Sequence, residues 1–208
     1  MKRPYKIAYD YIDLDDLLNQ FSVPLRNHSR RVAMCSAIIA EHADEYLRFY
    51  GLRGEEEFVL AVHLGGTCHD IGKLLIPTLI TDEEDYLTHP ARGMELLERN
   101  VEALFDNERQ TKIVLDMVRH HHERADGSGF PDGLKGKEIL PAASICAIAD
   151  WLDQQLCLGN AGFQDTAGIE KEIKEQTGAL FSENAVSCFE SAWPRLREQY
   201  DKWGRCVG

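Results

Sequence analysis

The sequence predicts an all-α fold. Three observations carry the prediction. Apolar residues recur at spacings of three and four, helix-start signals precede those runs, and no period-two run of β-branched residues stands out. Asp13 to Phe21 reads as a short acidic helix. Ser22 then caps a long one, with Pro24 tolerated in its first turn, Val32, Cys35, Ile38 and Ile39 as its buried stripe, and Gly51 as its end. His28 lies one turn before Val32, on the same inward face. Glu55, Glu56 and Glu57 suit the positive end of the next helix, which Phe58, Val59, Ala61, Val62 and Leu64 carry to His69. Gly65-Gly66 inside it costs about 1 kcal/mol each relative to Ala, which close backbone packing beside a site would justify. Pro77 closes this segment.

Thr81-Asp82-Glu83-Glu84 has the form of a helix start. Thr88-His89-Pro90 is a second, leading through Met94, Leu96 and Leu97. Asn107 to His122 is amphipathic, with Ile113, Val114, Met117 and Val118 inside, and runs into His120-His121-His122-Glu123. Asp126 to Gly133 is dense in turn residues and reads as a loop. Pro141 opens a strongly apolar helix, Ala142 to Leu152, that carries Asp150. Gly159 to Gly162 is a break, followed by helices over about 166–177 and 182–200, with Pro194 as a kink or an early end in the second. No repeat, low-complexity tract or linker divides the chain. The expectation is a single domain over 1–208, with a short N-terminal helix at 13–21 and a core from about 22 to 192.

Bulk properties narrow the function. The 208 residues, 44% hydrophobic and 28% charged, suffice for one domain with a sizeable core. No apolar run approaches the roughly 20 residues of a membrane helix. Asp10, Asp13, Asp15 and Asp16 stand where a signal peptide needs its apolar centre, so a cytoplasmic location is expected. A net charge of −12 disfavours nucleic-acid polymers and anionic membranes as partners. An anionic substrate would then need a local positive site. Six cysteines, at 35, 68, 146, 157, 188 and 206, form no CxxC pair and read as reduced, buried thiols. Cys68, beside His69, is expected to face the core.

The chemistry-bearing residues are His28, His69, Asp70, His89, His121, His122 and Asp150. Each falls on or at the end of an expected helix, as inward-facing metal ligands in a helical bundle should. Five imidazoles and two carboxylates are too many for one ion and suit two, with Asp70 able to bridge. Two divalent ions against two carboxylates leave a surplus of about two positive charges, matched to a phosphate ester. A hydroxide held between them would be the nucleophile. A mixed His/carboxylate shell favours Fe or Mn, then Zn or Ni, over Mg or Ca. Asp150 follows an apolar face and is rarely buried there without a partner. Only two of His120 to His122 can comfortably converge. His42 and His63 read as structural or surface residues.

His28-Ser29-Arg30-Arg31-Val32, His69-Asp70-Ile71-Gly72-Lys73, His89-Pro90, His121-His122-Glu123-Arg124, Asp126-Gly127-Ser128-Gly129-Phe130-Pro131 and Ile148-Ala149-Asp150 resemble, in order, the motifs of the HD-GYP family of metal-dependent phosphohydrolases. The resemblance runs from about residue 22 to residue 192, and Gly178-Ala179-Leu180-Phe181 resembles the family's last helices. It implies an HD-type bundle of about eight to nine helices and hydrolysis of a nucleotide phosphodiester, with cyclic di-GMP the family's substrate. It implies one ion on His28, His69, Asp70 and Asp150, and another on Asp70, His89, His121 and His122. Asp70 and Lys73 would be the catalytic residues, with Lys73 on the scissile phosphate or the bridging hydroxide. Lys73 also falls one helical turn after Asp70, on the same side. Glu123 and Asp126 would fix the tautomers of ligand histidines. Phe130, in place of the family's Tyr, would keep a stacking ring against substrate.

Several positions depart from the family pattern. Pro24 stands where some members carry a third-metal Glu, so two ions are expected. Ala125 stands where a Trp is common, and the 77–84 segment is short. The family's Arg-Pro-Tyr-Arg-like segment, whose basic residues contact substrate, is replaced by Trp151-Leu152-Asp153-Gln154-Gln155 and Leu158 to Phe163. Two alternatives follow: a catalytically altered, metal-containing nucleotide-binding or regulatory protein, or a phosphohydrolase for another nucleotide or phosphate ester. With 27 residues before His28, regulation is expected from a protein partner, from a homodimer, or not at all.

Overall fold

A computed structural model describes residues 14–52, 54–76, 83–100, 107–158 and 168–207. The elements are α1 (Leu14–Asn19), α2 (Val23–Ala40), α3 (Asp44–Tyr50), α4 (Glu55–Cys68), a 3-10 turn (Ile71–Leu75), α5 (Glu83–Tyr86), α6 (His89–Glu98), α7 (Glu108–His120), a second 3-10 turn (Gly136–Glu138), α8 (Pro141–Asp153) continued by a π-helical turn (Gln154–Leu158), α9 (Ile169–Glu175) and α10 (Glu183–Val207). The all-α class holds; the described residues contain no strand, only a bridge between Thr177 and Phe181. Among them, no helix is long and apolar enough to cross a membrane. Asp13, Pro77, Thr81, Asp82, Gly159 to Gly162 and Thr166 lie outside the described residues.

Local chemistry explains the boundaries. The Ser22 hydroxyl accepts from the Leu25 N–H at 3.4 Å, with Pro24 in the first turn of α2. The Asn107 side chain accepts from the N–H groups of Arg109 and Gln110 at the start of α7. The segment expected as one helix from Ser22 to Gly51 is two. Its i→i−3 hydrogen bonds at His42 and Ala43 tighten the end of α2, and Asp44 opens α3 with a carboxylate at the positive end. Ala43 and Tyr46 are buried by the resulting bend, and Gly51 (φ +63°) ends α3. Pro194 does not stop α10, which continues to Val207. Gly178 to Phe181 is a turn rather than helix; its carbonyls at Ala179 and Leu180 accept from Asp126 and Ala125.

Two apolar clusters hold the bundle. The larger draws Val32 and Ile39 from α2, Phe58 and Val62 from α4, Ile113 and Met117 from α7, Ile145 and Leu152 from α8, and Phe189 and Leu196 from α10. The smaller contains Leu17, Phe21, Cys68, Ile71, Leu97, Val114 and Val118. Along α2, Leu25 packs on the smaller cluster and Val32 belongs to the larger, with His28 between them. Along α4, Val62 and Cys68 divide in the same way. The seam between the clusters is where polar side chains converge. Glycine sets how closely its walls approach. A Cβ on Gly66 would fall 2.7 Å from the Ala33 Cα, so glycine lets α4 lie against α2. A Cβ on Gly72 would fall 2.7 Å from the Gly93 N, so glycine lets the turn after Asp70 lie against α6.

Candidate metal centre

All seven residues singled out in the sequence as ligands meet at this seam. One atom from each of Asp70, His89, His121 and His122 lies within 4.8 Å of the others, and so does one from each of His28, His69 and Asp150. Asp70 faces both groups with different oxygens. Its Oδ2 lies 3.4 Å from His69 Nε2 and 3.7 Å from His28 Nε2; its Oδ1 lies 3.2 Å from His89 Nε2 and 3.9 Å from His121 Nε2. Asp150 Oδ1 lies 3.1 Å from His28 Nε2 and 3.8 Å from His69 Nε2.

The backbone orients the rings. His69, His89 and His121 each use Nδ1–H to donate to the carbonyl three residues earlier, at Gly66, Tyr86 and Val118, over 2.7 to 2.9 Å. Those carbonyls belong to the last turns of α4, α5 and α7, where helical acceptors are left over. One bond therefore caps a helix end and fixes a tautomer whose bare Nε2 points inward. His28 uses Asp153 instead, at 2.7 Å.

These groups fit divalent metal binding. The buried side-chain atoms without a hydrogen-bond partner include His69 Nε2, Asp70 Oδ1, His122 Nε2 and Asp150 Oδ1. Buried polar atoms in this state are costly unless something fills the space between them. Electrostatics points the same way. Burial, with the neighbouring histidines His122, His69 and His89, holds His121 well below its usual pKa. Burial lowers His122 to about 4, so both are neutral ligands at pH 7. Burial opposes ionisation of Asp70, but His69 and Lys73 outweigh it and keep the carboxyl well below its ordinary range. Lys73 Nζ sits 2.6 Å from Asp70 Oδ2 and over the Tyr86 ring.

Other expectations fare differently. His120 turns away from the cluster, to Asp116 and Asp132 at 2.7 and 3.0 Å. His42 and His63 are exposed, and Cys68 is core. Among the described residues, neither Glu123 nor Asp126 is hydrogen-bonded to a clustered ring. Glu123 is buried, and its carboxylate accepts from the N–H groups of Asp132, Gly133 and Leu134 at 2.7, 3.1 and 2.9 Å. The loop reaches that carboxylate because Gly129 packs directly on the His122–Arg124 turn, where a Cβ would fall 2.6 Å from the His122 carbonyl oxygen. Asp126 is an exposed turn residue that accepts from Ser128 N–H. The same loop stacks Phe130 on His122, centroids 4.7 Å apart.

Two contributors had no assigned role in the sequence. Asp153 is fully buried and accepts from His28, from Arg31 Nε and Nη2 at 2.6 and 2.9 Å, and from the Tyr200 hydroxyl at 3.1 Å. Its signal was present: Asp150/Asp153 and His28/Arg31 are both i,i+3 pairs, and each spacing puts two polar groups on one helix face. Gln154 donates to Asp150 Oδ2 at 2.8 Å, leaving Oδ1 directed into the cluster. Over the cluster opens a cavity of about 270 Å³, lined by His122, Asp150, Phe130, Trp151, Gln154 and Arg124 among others.

Comparison with known proteins agrees with this geometry. The model of the HD domain matches residues 25–155, which contain every clustered residue. The chain belongs to the HD domain family. A cyclic di-GMP phosphodiesterase of Thermotoga maritima is 28% identical over 194 residues, covering 87% of this chain and 48% of that protein. One of Pseudomonas aeruginosa is 29% identical over 161 residues, covering 70% of this chain and 38% of that protein. The chain thus spans about half or less of the length of these curated relatives. An HDG"Y"P protein from Bdellovibrio bacteriovorus shares the fold, with a TM-score of 0.55 and 17% identity over 90% of this chain and 56% of that one.

Proposed function

We propose that this chain is a single-domain, dinuclear metal-dependent phosphohydrolase that cleaves a nucleotide phosphodiester, with cyclic di-GMP and related cyclic dinucleotides as its substrates. The observation that carries the reading is the split of Asp70, one oxygen toward each of two ligand groups. In this reading His28, His69, Asp70 and Asp150 hold one ion, and Asp70, His89, His121 and His122 the other. The ions are Fe or Mn ahead of Zn or Ni. They would supply Lewis acidity and a water activated at neutral pH.

The chain's own residues do the rest. Asp70 fixes the spacing of the two halves. Burial opposes the charge on Lys73, but Asp70 raises its pKa, so its ammonium stays positive at the mouth of the cluster. There it screens the negative charge that grows on the phosphoryl oxygens. Phe130 and Trp151 offer rings to a nucleobase at the cavity wall. The curated relatives, named as cyclic di-GMP phosphodiesterases, support the substrate class. The test is turnover of a panel of cyclic dinucleotides by protein loaded anaerobically with each metal. Hydrolysis of at least one, abolished by chelation and restored by Fe or Mn, is expected. A fully loaded protein inert toward the whole panel overturns the reading in favour of a nucleotide-binding module.

A further inference from the structure

The cavity over the cluster has a polarity that the metal centre does not explain. Among its described lining residues Arg124 is the one permanent cation. The cations around it are committed: Lys73 to Asp70, Arg31 to Asp153, Arg119 to Asp132, and Arg92 to the Leu75 carbonyl. Arg124 is exposed, and among the described residues its guanidinium has neither a hydrogen bond nor an ion pair; its charge is felt by exposed Asp126. Its backbone, by contrast, is fixed. Gly127 N–H donates to the Arg124 carbonyl at 2.8 Å, Ala125 N–H donates to Leu180, and Gly129 packs directly on the Arg124 N. An uncommitted guanidinium carried on a fixed backbone beside the His/Asp cluster is available to receive an anion.

Charge decides which anion. Two divalent ions against Asp70 and Asp150 match a single phosphodiester and its attacking water. A second phosphate on the same substrate would find no partner at the cluster. Arg124 stands on the rim of the same cavity, next to the stacking rings of Phe130 and Trp151. We infer that Arg124 receives the second, non-scissile phosphate of the substrate, and so selects a dinucleotide over any ester with one phosphate. This rests on the phosphodiesterase reading above. It also assigns to a residue of the His121–Arg124 turn the charge contact that the 151–163 segment lacks in sequence.

The experiment compares wild type with Arg124→Gln and Arg124→Lys on cyclic di-GMP and on bis(p-nitrophenyl) phosphate, which carries one phosphodiester. Alongside it, equilibrium dialysis measures binding of labelled cyclic di-GMP to the metal-loaded proteins. A lost charge-assisted contact should raise KM and the dissociation constant for the dinucleotide about 10- to 100-fold in Arg124→Gln. The kcat for the dinucleotide, and both constants for the aryl diester, should stay within about twofold, and Arg124→Lys should recover part of the affinity. Unchanged dinucleotide binding, or an equal loss on both substrates, overturns the inference. If wild type turns over neither compound nor any other cyclic dinucleotide of the panel, the phosphodiesterase reading fails by itself, and dialysis still decides the role of Arg124. Wild type that binds no dinucleotide overturns both.

Discussion

The floor and the wall of the cavity are built on different principles. Floor residues are buried except for half-buried His122, and three of the five rings take their orientation from backbone carbonyls at helix ends. Backbone acceptors stay in place when surface side chains change, so this arrangement depends on the fold more than on neighbouring residues. The wall is made of side chains. Phe130 rides on a loop held by Glu123, Gln154 hangs from Asp150, and Arg124 stands free at the rim. The floor can thus retain its chemistry while the wall changes what it admits.

Substitutions can break that division, and the floor should fail hardest. Asp70→Asn removes the charge shared by both ligand groups; kcat should fall by at least about 10³-fold, with metal content reduced at both positions by elemental analysis. Lys73→Ala should lower kcat about 10²-fold while leaving metal content intact, which separates its role from that of a ligand. A parallel loss of metal would make Lys73 structural.

Asp153→Asn acts one bond further out. It weakens the hold on His28 and leaves Arg31 beside a neutral amide, so affinity for the ion on the His28 side should drop about 10- to 100-fold. Competition with a chelator would show this as one weakened ion beside one unchanged. Equal weakening of both ions would mean that Asp153 supports the bundle rather than the ring.

The wall should yield smaller effects. Arg119 pairs with Asp132 through two 2.7 Å bonds that tie α7 to the Phe130 loop, and it lowers the Asp132 pKa to about 2. A carboxyl depressed in the folded state stabilises above its unfolded value, and that stabilisation is lost as pH falls through the folded one. Asp132→Asn should therefore cost no more than about 1 kcal/mol after solvent screening at pH 7. The difference from wild type should vanish in urea melts as pH approaches 2, whereas a constant difference across pH would assign the effect to packing.

The contrast also explains what the sequence revealed. His28, His69, Asp70, His89, His121, His122 and Asp150 were legible because each is a polar residue on the inward side of a helix or just past its end, and helical periodicity is a local property. The split after Ala40 was not, since no Gly or Pro marks it and the bend answers to the burial of Ala43 and Tyr46. The partners of Glu123 were not legible for a related reason. Its neighbours in sequence are ligands, but its partners lie nine to eleven residues on, brought back by a loop that packs through Gly129. Arg124 and Gln154 matter through what they face across the cavity, which adjacency in the chain does not encode.

The central proposal is a pair of ions bridged by Asp70. Protein purified anaerobically with Fe or Mn should contain about two ions per chain, and X-ray absorption should find a metal–metal vector of about 3.5–4 Å that disappears in Asp70→Asn. A single ion per chain, or two with no such vector in wild type, would contradict it.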